Sequence, residues 1–118
     1  MDIYNTHLDS GNSKNDKFAR ESQLDELKKF VLRKRSEIPY IICGDFNIDY
    51  FGKDKSIIDK FMSDLELNII NSHNENNSNN KIDYIFHNGI TNVMNMDLND
   101  TLYHLSDHYP ESIMFETK

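Results

Sequence analysis

Residues 40–49, Tyr-Ile-Ile-Cys-Gly-Asp-Phe-Asn-Ile-Asp, constrain the fold of this chain more than any other stretch. Tyr40 to Cys43 is a short unbroken run of apolar and weakly polar residues, which reads as a strand covered on both faces. Gly44 ends the run, and Asp45 and Asn47 follow two residues apart. If extended geometry continues past the glycine, both side chains leave on the same side. They would then stand together at the end of a buried strand, where open α/β sheets place their ligands. The alternative is a turn in which Asp45 and Asn47 cap backbone groups. This stretch alone leaves both readings open.

The flanking segments supply the rest of an α/β pattern. Asp2 to Leu8 is rich in strand formers and runs into a polar Asp9-Ser10-Gly11-Asn12 loop. From about Asp16 to Arg35 the periodicity is helical, with Leu24, Leu27 and Val31 on one face and Phe30 beside them. Arg33, Lys34 and Arg35 lie where cations favour the negative end of a helix dipole, so the basic cluster reads as helix termination. Ser56 is a suitable N-cap for a second helix, in which Ile57, Ile58, Phe61 and Leu65 share a face. Leu67 to Ile70 reads as a strand, and His73 to Asn80 as a polar loop within an asparagine-rich region. Lys81 to His87 alternates, with Ile82, Tyr84 and Phe86 on one side and Asp83, Ile85 and His87 on the other. A weaker strand follows at Thr91–Asp97, then an irregular segment from Leu98 to Leu105 and a last strand at Ser112–Phe115. The order, strand, helix, strand, helix and then several strands, predicts an α/β sandwich rather than a purely doubly wound fold.

Composition narrows the function. A chain of 118 residues is at most one domain. Its net charge of −7 argues against gripping nucleic acid through a general basic surface. A phosphate-containing substrate stays open, because a bound divalent cation reverses the local field. Cys43, the single cysteine, has no internal disulfide partner, and its apolar neighbours suggest a buried, inert thiol. No apolar run approaches membrane-span length, and no signal-peptide core follows Met1. If Met1 is the true start, the expected location is cytoplasmic.

Four polar clusters fall at strand edges: His7 with Asp9, Asp45 with Asn47, Asp83, and Asp107 with His108. Oxygen-dominated donors favour hard cations, magnesium, manganese or calcium, and zinc would want more histidine or cysteine. A carboxylate beside a histidine raises its pKa and fixes its tautomer, which suits acid–base work. Divalent metal, an acid–base histidine and an amide donor together meet the needs of phosphoester hydrolysis.

The set Asn5-Thr6-His7-Leu8-Asp9, Arg20 with Gln23, Gly44-Asp45-Phe46-Asn47, Ile82-Asp83-Tyr84-Ile85-Phe86 and Ser106-Asp107-His108-Tyr109-Pro110 resembles the endonuclease/exonuclease/phosphatase superfamily. This is the deoxyribonuclease I-like group, which also holds exonuclease III-type nucleases, neutral sphingomyelinases and inositol polyphosphate phosphatases. Each block alone is weak, but the ordered set spans almost the whole chain.

The resemblance implies a partial deoxyribonuclease I-like α/β sandwich, with a mixed, largely antiparallel sheet and two helices, and a role for each matched residue. His108 would activate the attacking water, with Asp83 orienting it. Asp45 would position or deprotonate that water, and Asn47 would donate to the phosphate. His7 would contact the phosphate or assist the leaving group. Asp107, Asp45 and Asn47 would serve the metal, magnesium or else manganese or calcium. Asp9, Arg20 and Gln23 look more like packing residues around the site. The substrate would be a phosphoester in nucleic acid, a phospholipid head group or a sugar phosphate. The family's first half supplies an asparagine and a glutamate metal ligand that have no counterpart here, since Glu21 and Glu26 lie on the helix. Residues 1–118 are therefore expected to be the C-terminal portion of such a domain, with its N-terminal half absent and supplied, if at all, as a partner. A different outcome is a non-catalytic truncated module that binds a partner, or weakly binds metal or phosphate.

Overall fold

In the computed structural model, which describes residues 1–34, 37–70, 81–96, 105–108 and 110–117, the apolar run after Pro39 forms a central strand. The elements are β1 (Asp2–His7), α1 (Lys14–Arg33), β2 (Tyr40–Asp45), α2 (Lys55–Asp64), β3 (Asn68–Ile69), β4 (Asp83–Asn88), β5 (Ile90–Asn95) and β6 (Ile113–Thr117). The expectations for Arg35, Tyr109, the 73–80 loop and residues 97–104 lie outside the described residues.

The first sheet has the order β1-β2-β4-β3, with β1 parallel to β2 and the other pairs antiparallel. A second sheet pairs β5 with β6, antiparallel and with an irregularity between Thr91 and Met94. Among the described residues the chain adopts the expected mixed, largely antiparallel α/β architecture with two helices.

Alternation gives the first sheet two different faces. Tyr4, Tyr40, Ile42, Tyr84 and Phe86 join the core with Leu24 and Val31 of α1 and Ile58 and Phe61 of α2. Phe46, just past β2, is fully buried and packs edge-on against Phe61, Tyr84 and Phe86 at centroid distances of 5.9, 5.3 and 5.4 Å. Burying one such side chain contributes roughly 1.5–3 kcal/mol. The opposite face carries Asn5 and His7 of β1, Cys43 and Asp45 of β2, and Asp83, Ile85 and His87 of β4. Their side chains range from half-buried to exposed.

Several boundaries differ from the sequence expectation for local reasons. Helix α1 starts earlier than Asp16 because Ser13 and Asp16 form a reciprocal capping box, each backbone N–H donating to the other's side chain at 3.1 Å. Phe30 is partly exposed on that helix, and its ring meets Tyr4 edge-on at 6.0 Å. The N-cap of α2 is Asp54 rather than Ser56, and its carboxylate makes no capping bond. It instead pairs with Lys17 of α1 at 2.7 Å, while Lys28 reaches Asp64 at 3.0 Å near the other end. Strand β3 is only Asn68–Ile69, shorter than the expected Leu67–Ile70, because the Leu67 N–H still donates to the Met62 carbonyl at the end of α2.

Candidate active site

The end of β2 is shaped by one glycine. Gly44 has φ +140, and a Cβ there would fall 1.8 Å from the Thr6 carbonyl oxygen of β1. Only glycine lets the two strands run this close at that point. The next register position sets His7, Asp45 and Asp83 in one row across β1, β2 and β4.

His108, from the segment before β6, completes the row. Its Nδ1 donates to Asp83 Oδ2 at 2.6 Å, and its Nε2 lies 3.7 Å from Asp45 Oδ2. His7 Nε2 approaches the same Asp45 oxygen at 3.4 Å from a largely exposed ring. The hydrogen bond and charge of Asp83 raise the His108 pKa above its ordinary value, partial burial opposes this, and Asp45 and Asp107 add smaller increases. Asp45, Asp83 and His108 each offer one donor atom, and these lie within 4.8 Å of one another.

Extended geometry does not continue past Asp45. Asn47 adopts a left-handed conformation, φ 51, and its backbone N–H donates to Asp45 Oδ1 at 2.9 Å. Its side-chain amide donates to the Leu8 carbonyl at 2.7 Å. Asparagine tolerates this conformation because its short polar side chain bonds locally. Asp45 thus combines the two readings of the opening stretch: one oxygen caps a turn and the other faces the histidines. Asn47 anchors the chain after β1, and the structure does not place it in the His7–Asp45–Asp83–His108 group. Asp107 is exposed, and its carboxylate accepts from Ser106 Oγ at 3.4 Å, outside that three-donor group.

Asp9, Arg20 and Gln23 come together as a support for the chain beyond His7. Buried Arg20 donates to the Asp9 and Gly11 carbonyls at 3.2 and 2.7 Å, while the Gln23 side chain accepts from the Asp9 N–H at 2.8 Å. The Arg20 and Gln23 side chains thus hold the main chain beyond His7, to which Asp9 contributes its carbonyl and its N–H.

An open cleft of about 480 Å³ runs along this face, lined by Asn5, His7, Cys43, Asp45, His108 and Glu111 among others. Cys43 is half-buried there rather than fully buried as expected, because it points to the open face while its neighbour Ile42 points to the helices. Burial still pushes its thiol pKa up, which keeps it weakly reactive. Sequence reasoning passed over Lys81, Glu111 and Asp49. Asp49 Oδ1 takes the N–H of Phe51 two residues on, at 3.0 Å, and that of Lys81 at 2.9 Å, the latter a pairing across 32 positions that no local pattern signals.

Likeness to solved structures shows that the described sheet and helices have the deoxyribonuclease I-like fold, the fold of endonuclease/exonuclease/phosphatase proteins. The chain is similar to the catalytic domain of human nocturnin, solved with bound sulfate, at TM-score 0.58 and 24% identity over 83% of this chain and 40% of that one. It is also similar to a β-hairpin deletion mutant of Staphylococcus aureus beta toxin, at TM-score 0.55 and 22% identity over 92% and 48% of the two chains. An endonuclease/exonuclease/phosphatase family protein from Bacteroides thetaiotaomicron gives TM-score 0.51 and 21% identity, over 80% and 38%. The chain thus spans less than half the length of each of these proteins. Comparison with protein-family models gives no match, and comparison with curated protein sequences gives none. No helix among the described residues is long and apolar enough to cross a membrane.

Proposed function

We propose that this chain is the C-terminal portion of a divalent-metal-dependent hydrolase of phosphoester bonds: a phosphodiesterase, nuclease or phosphatase. The observation that carries this reading is the His108–Asp83 pair at 2.6 Å, beside Asp45 in an open cleft. Asp83 fixes the ring with its proton on Nδ1, which leaves Nε2 to take a proton from the attacking water. Asp45 orients that water for in-line attack. His7, largely exposed beside Asp45, contacts the phosphate or assists the leaving group. Asn47 has a second amide hydrogen beyond the one given to Leu8, and that hydrogen serves the phosphate.

The donor set fits a magnesium-type cation, which takes one or two carboxylates and fills its remaining positions with water and substrate oxygens. Within this chain, Asp45, Asp107 and Asn47 would hold it in this reading, and manganese or calcium are the related choices. Such an ion, when bound, supplies positive charge to the phosphoryl oxygens and acidifies water. Further acidic groups come from an N-terminal half, in the same chain or as a partner. This part of the reading is supported by the span of 38–48% of the similar chains. The net charge of −7 disfavours long duplex DNA and leaves short oligonucleotides, phospholipid head groups and sugar phosphates as substrates.

A non-catalytic docking module is the second reading, favoured by the exposed apolar side chains Ile3, Met94 and Met114 on the strands. Turnover of a generic phosphodiester with magnesium or manganese, lost in His108→Ala, separates the two. No metal-dependent turnover on nucleic acid, lipid or generic diesters, in this chain or one extended at its N-terminus, would end the hydrolase reading. Absence of any magnesium-induced shift in stability would then support the docking module.

A further inference from the structure

His108 sits on a segment that belongs to neither strand nor helix. Its backbone N–H reaches only as far as Ser106 Oγ, at 3.1 Å, and its ring meets Asp83. Three residues on, Glu111 meets Lys81, with Oε1 and Nζ 3.9 Å apart and both side chains mostly buried. Lysine is almost never buried without a partner, because a lone buried charge is costly. Lys81 also donates from Nζ to the carbonyl of Asp83 itself at 3.1 Å, and its Nζ lies 5.4 Å over the Tyr84 ring. Its backbone is tied at both ends to the loop leaving β2: its N–H donates to Asp49 Oδ1 at 2.9 Å, and its carbonyl accepts from the Tyr50 N–H at 2.8 Å.

One lysine therefore links the three segments that bring Asp45, Asp83 and His108 together. We propose that Lys81 and Glu111 form a positioning pair, pinning the chain just after His108 to the strand that carries Asp83 so that imidazole and carboxylate stay in register. Lys81 touches no reacting atom; it acts through Asp83 and His108. The proposal rests on reading those two residues as the catalytic pair, where a small misplacement is costly: about 1 Å is enough for a hundredfold loss.

The test reads the His108 tautomer by long-range proton–nitrogen NMR of the metal-free protein at alkaline pH. Free imidazole favours the proton on Nε2, whereas the Asp83 bond holds it on Nδ1. Lys81→Met, with its sheet amides intact, should lose most of the Nδ1–H form, and Lys81→Arg should restore it. Where turnover is measurable, Lys81→Met should lower kcat roughly ten- to a hundredfold with KM nearly unchanged. An unchanged tautomer in folded Lys81→Met overturns the proposal. If that variant does not fold, Glu111→Gln decides by the same signal, lost if the pair positions His108 and retained if it does not. The tautomer needs no substrate, so a failed hydrolase reading and a failed positioning pair are told apart.

Discussion

Asp45 stands directly across from Asp83 on the antiparallel β2–β4 pair. The Phe46 N–H donates to the Ile82 carbonyl at 2.8 Å, one step beyond, which makes this a non-hydrogen-bonded pair, the closer kind for side chains. Two carboxylates in such positions repel. His108 lies against both, and its elevated pKa reflects the acidic setting.

This juxtaposition sets stability against function. Asp45→Asn keeps an oxygen for the Asn47 N–H and removes one of the two charges. In metal-free buffer it should raise unfolding free energy by roughly 0.2–1 kcal/mol. The same variant should lose any stabilisation by millimolar magnesium. Urea melts with and without the cation check both halves.

Gly44 has no tolerated replacement. Alanine would place its Cβ 1.8 Å from a backbone oxygen of β1, at a φ of +140. Strain and overpacking each cost about 1–3 kcal/mol, so Gly44→Ala should lose about 3 kcal/mol or more, or fail to fold. Denaturant unfolding measures it. Gly52, where the nearest atoms are those of the Asp49 side chain at 3.1 to 3.4 Å, should tolerate alanine far better.

The pKa values of His87 on β4 and His108 in the site are shifted in opposite directions. Burial lowers the His87 pKa below 6.5, and its Nδ1 is buried with no hydrogen-bond partner among the described residues. The unfolded chain binds the proton more readily, so the proton-linked cost of His87 is small at neutral pH and grows as pH falls through 6.5 toward the folded value. His108 is raised, so its contribution is complete below 6.5 and is lost as pH rises through the folded value. His87→Leu should therefore flatten the acid side of a stability profile taken from about pH 5 to about pH 8, and His108→Asn the other side.

Phe46 is the packing counterpart of the site. It is fully buried among Phe61, Tyr84 and Phe86, immediately after Asp45. Phe46→Ala should cost about 3–5 kcal/mol, and Phe46→Leu distinctly less. The loss should extend to the Asp45 turn, seen as faster amide exchange at Asn47.

Much of the architecture was legible because it is written in local periods. The run at Tyr40, the helical spacing of Leu24 and Val31, and the alternation from Ile82 to His87 each name an element and a buried face without long-range information. Candidate residues were legible for the same reason: they are polar residues at the ends of apolar strands. Boundaries slipped where a side chain chose a distant partner over a near one, as when Asp54 took Lys17 instead of capping α2.

The amino-acid sequence alone determined the two helices, the strand order along the chain and the identity of the groups His7, Asp45, Asp83 and His108, because these depend on residue type and short spacing. Only the tertiary structure decided that β1 and β4 flank β2 in the register that sets three of those groups in one row. It alone turned Asn47 back onto Leu8 and brought buried Lys81 to Glu111. Those choices are made by sheet pairing and by the cost of burying unpaired polar groups. They join residues dozens of positions apart, and no local pattern in the chain encodes them.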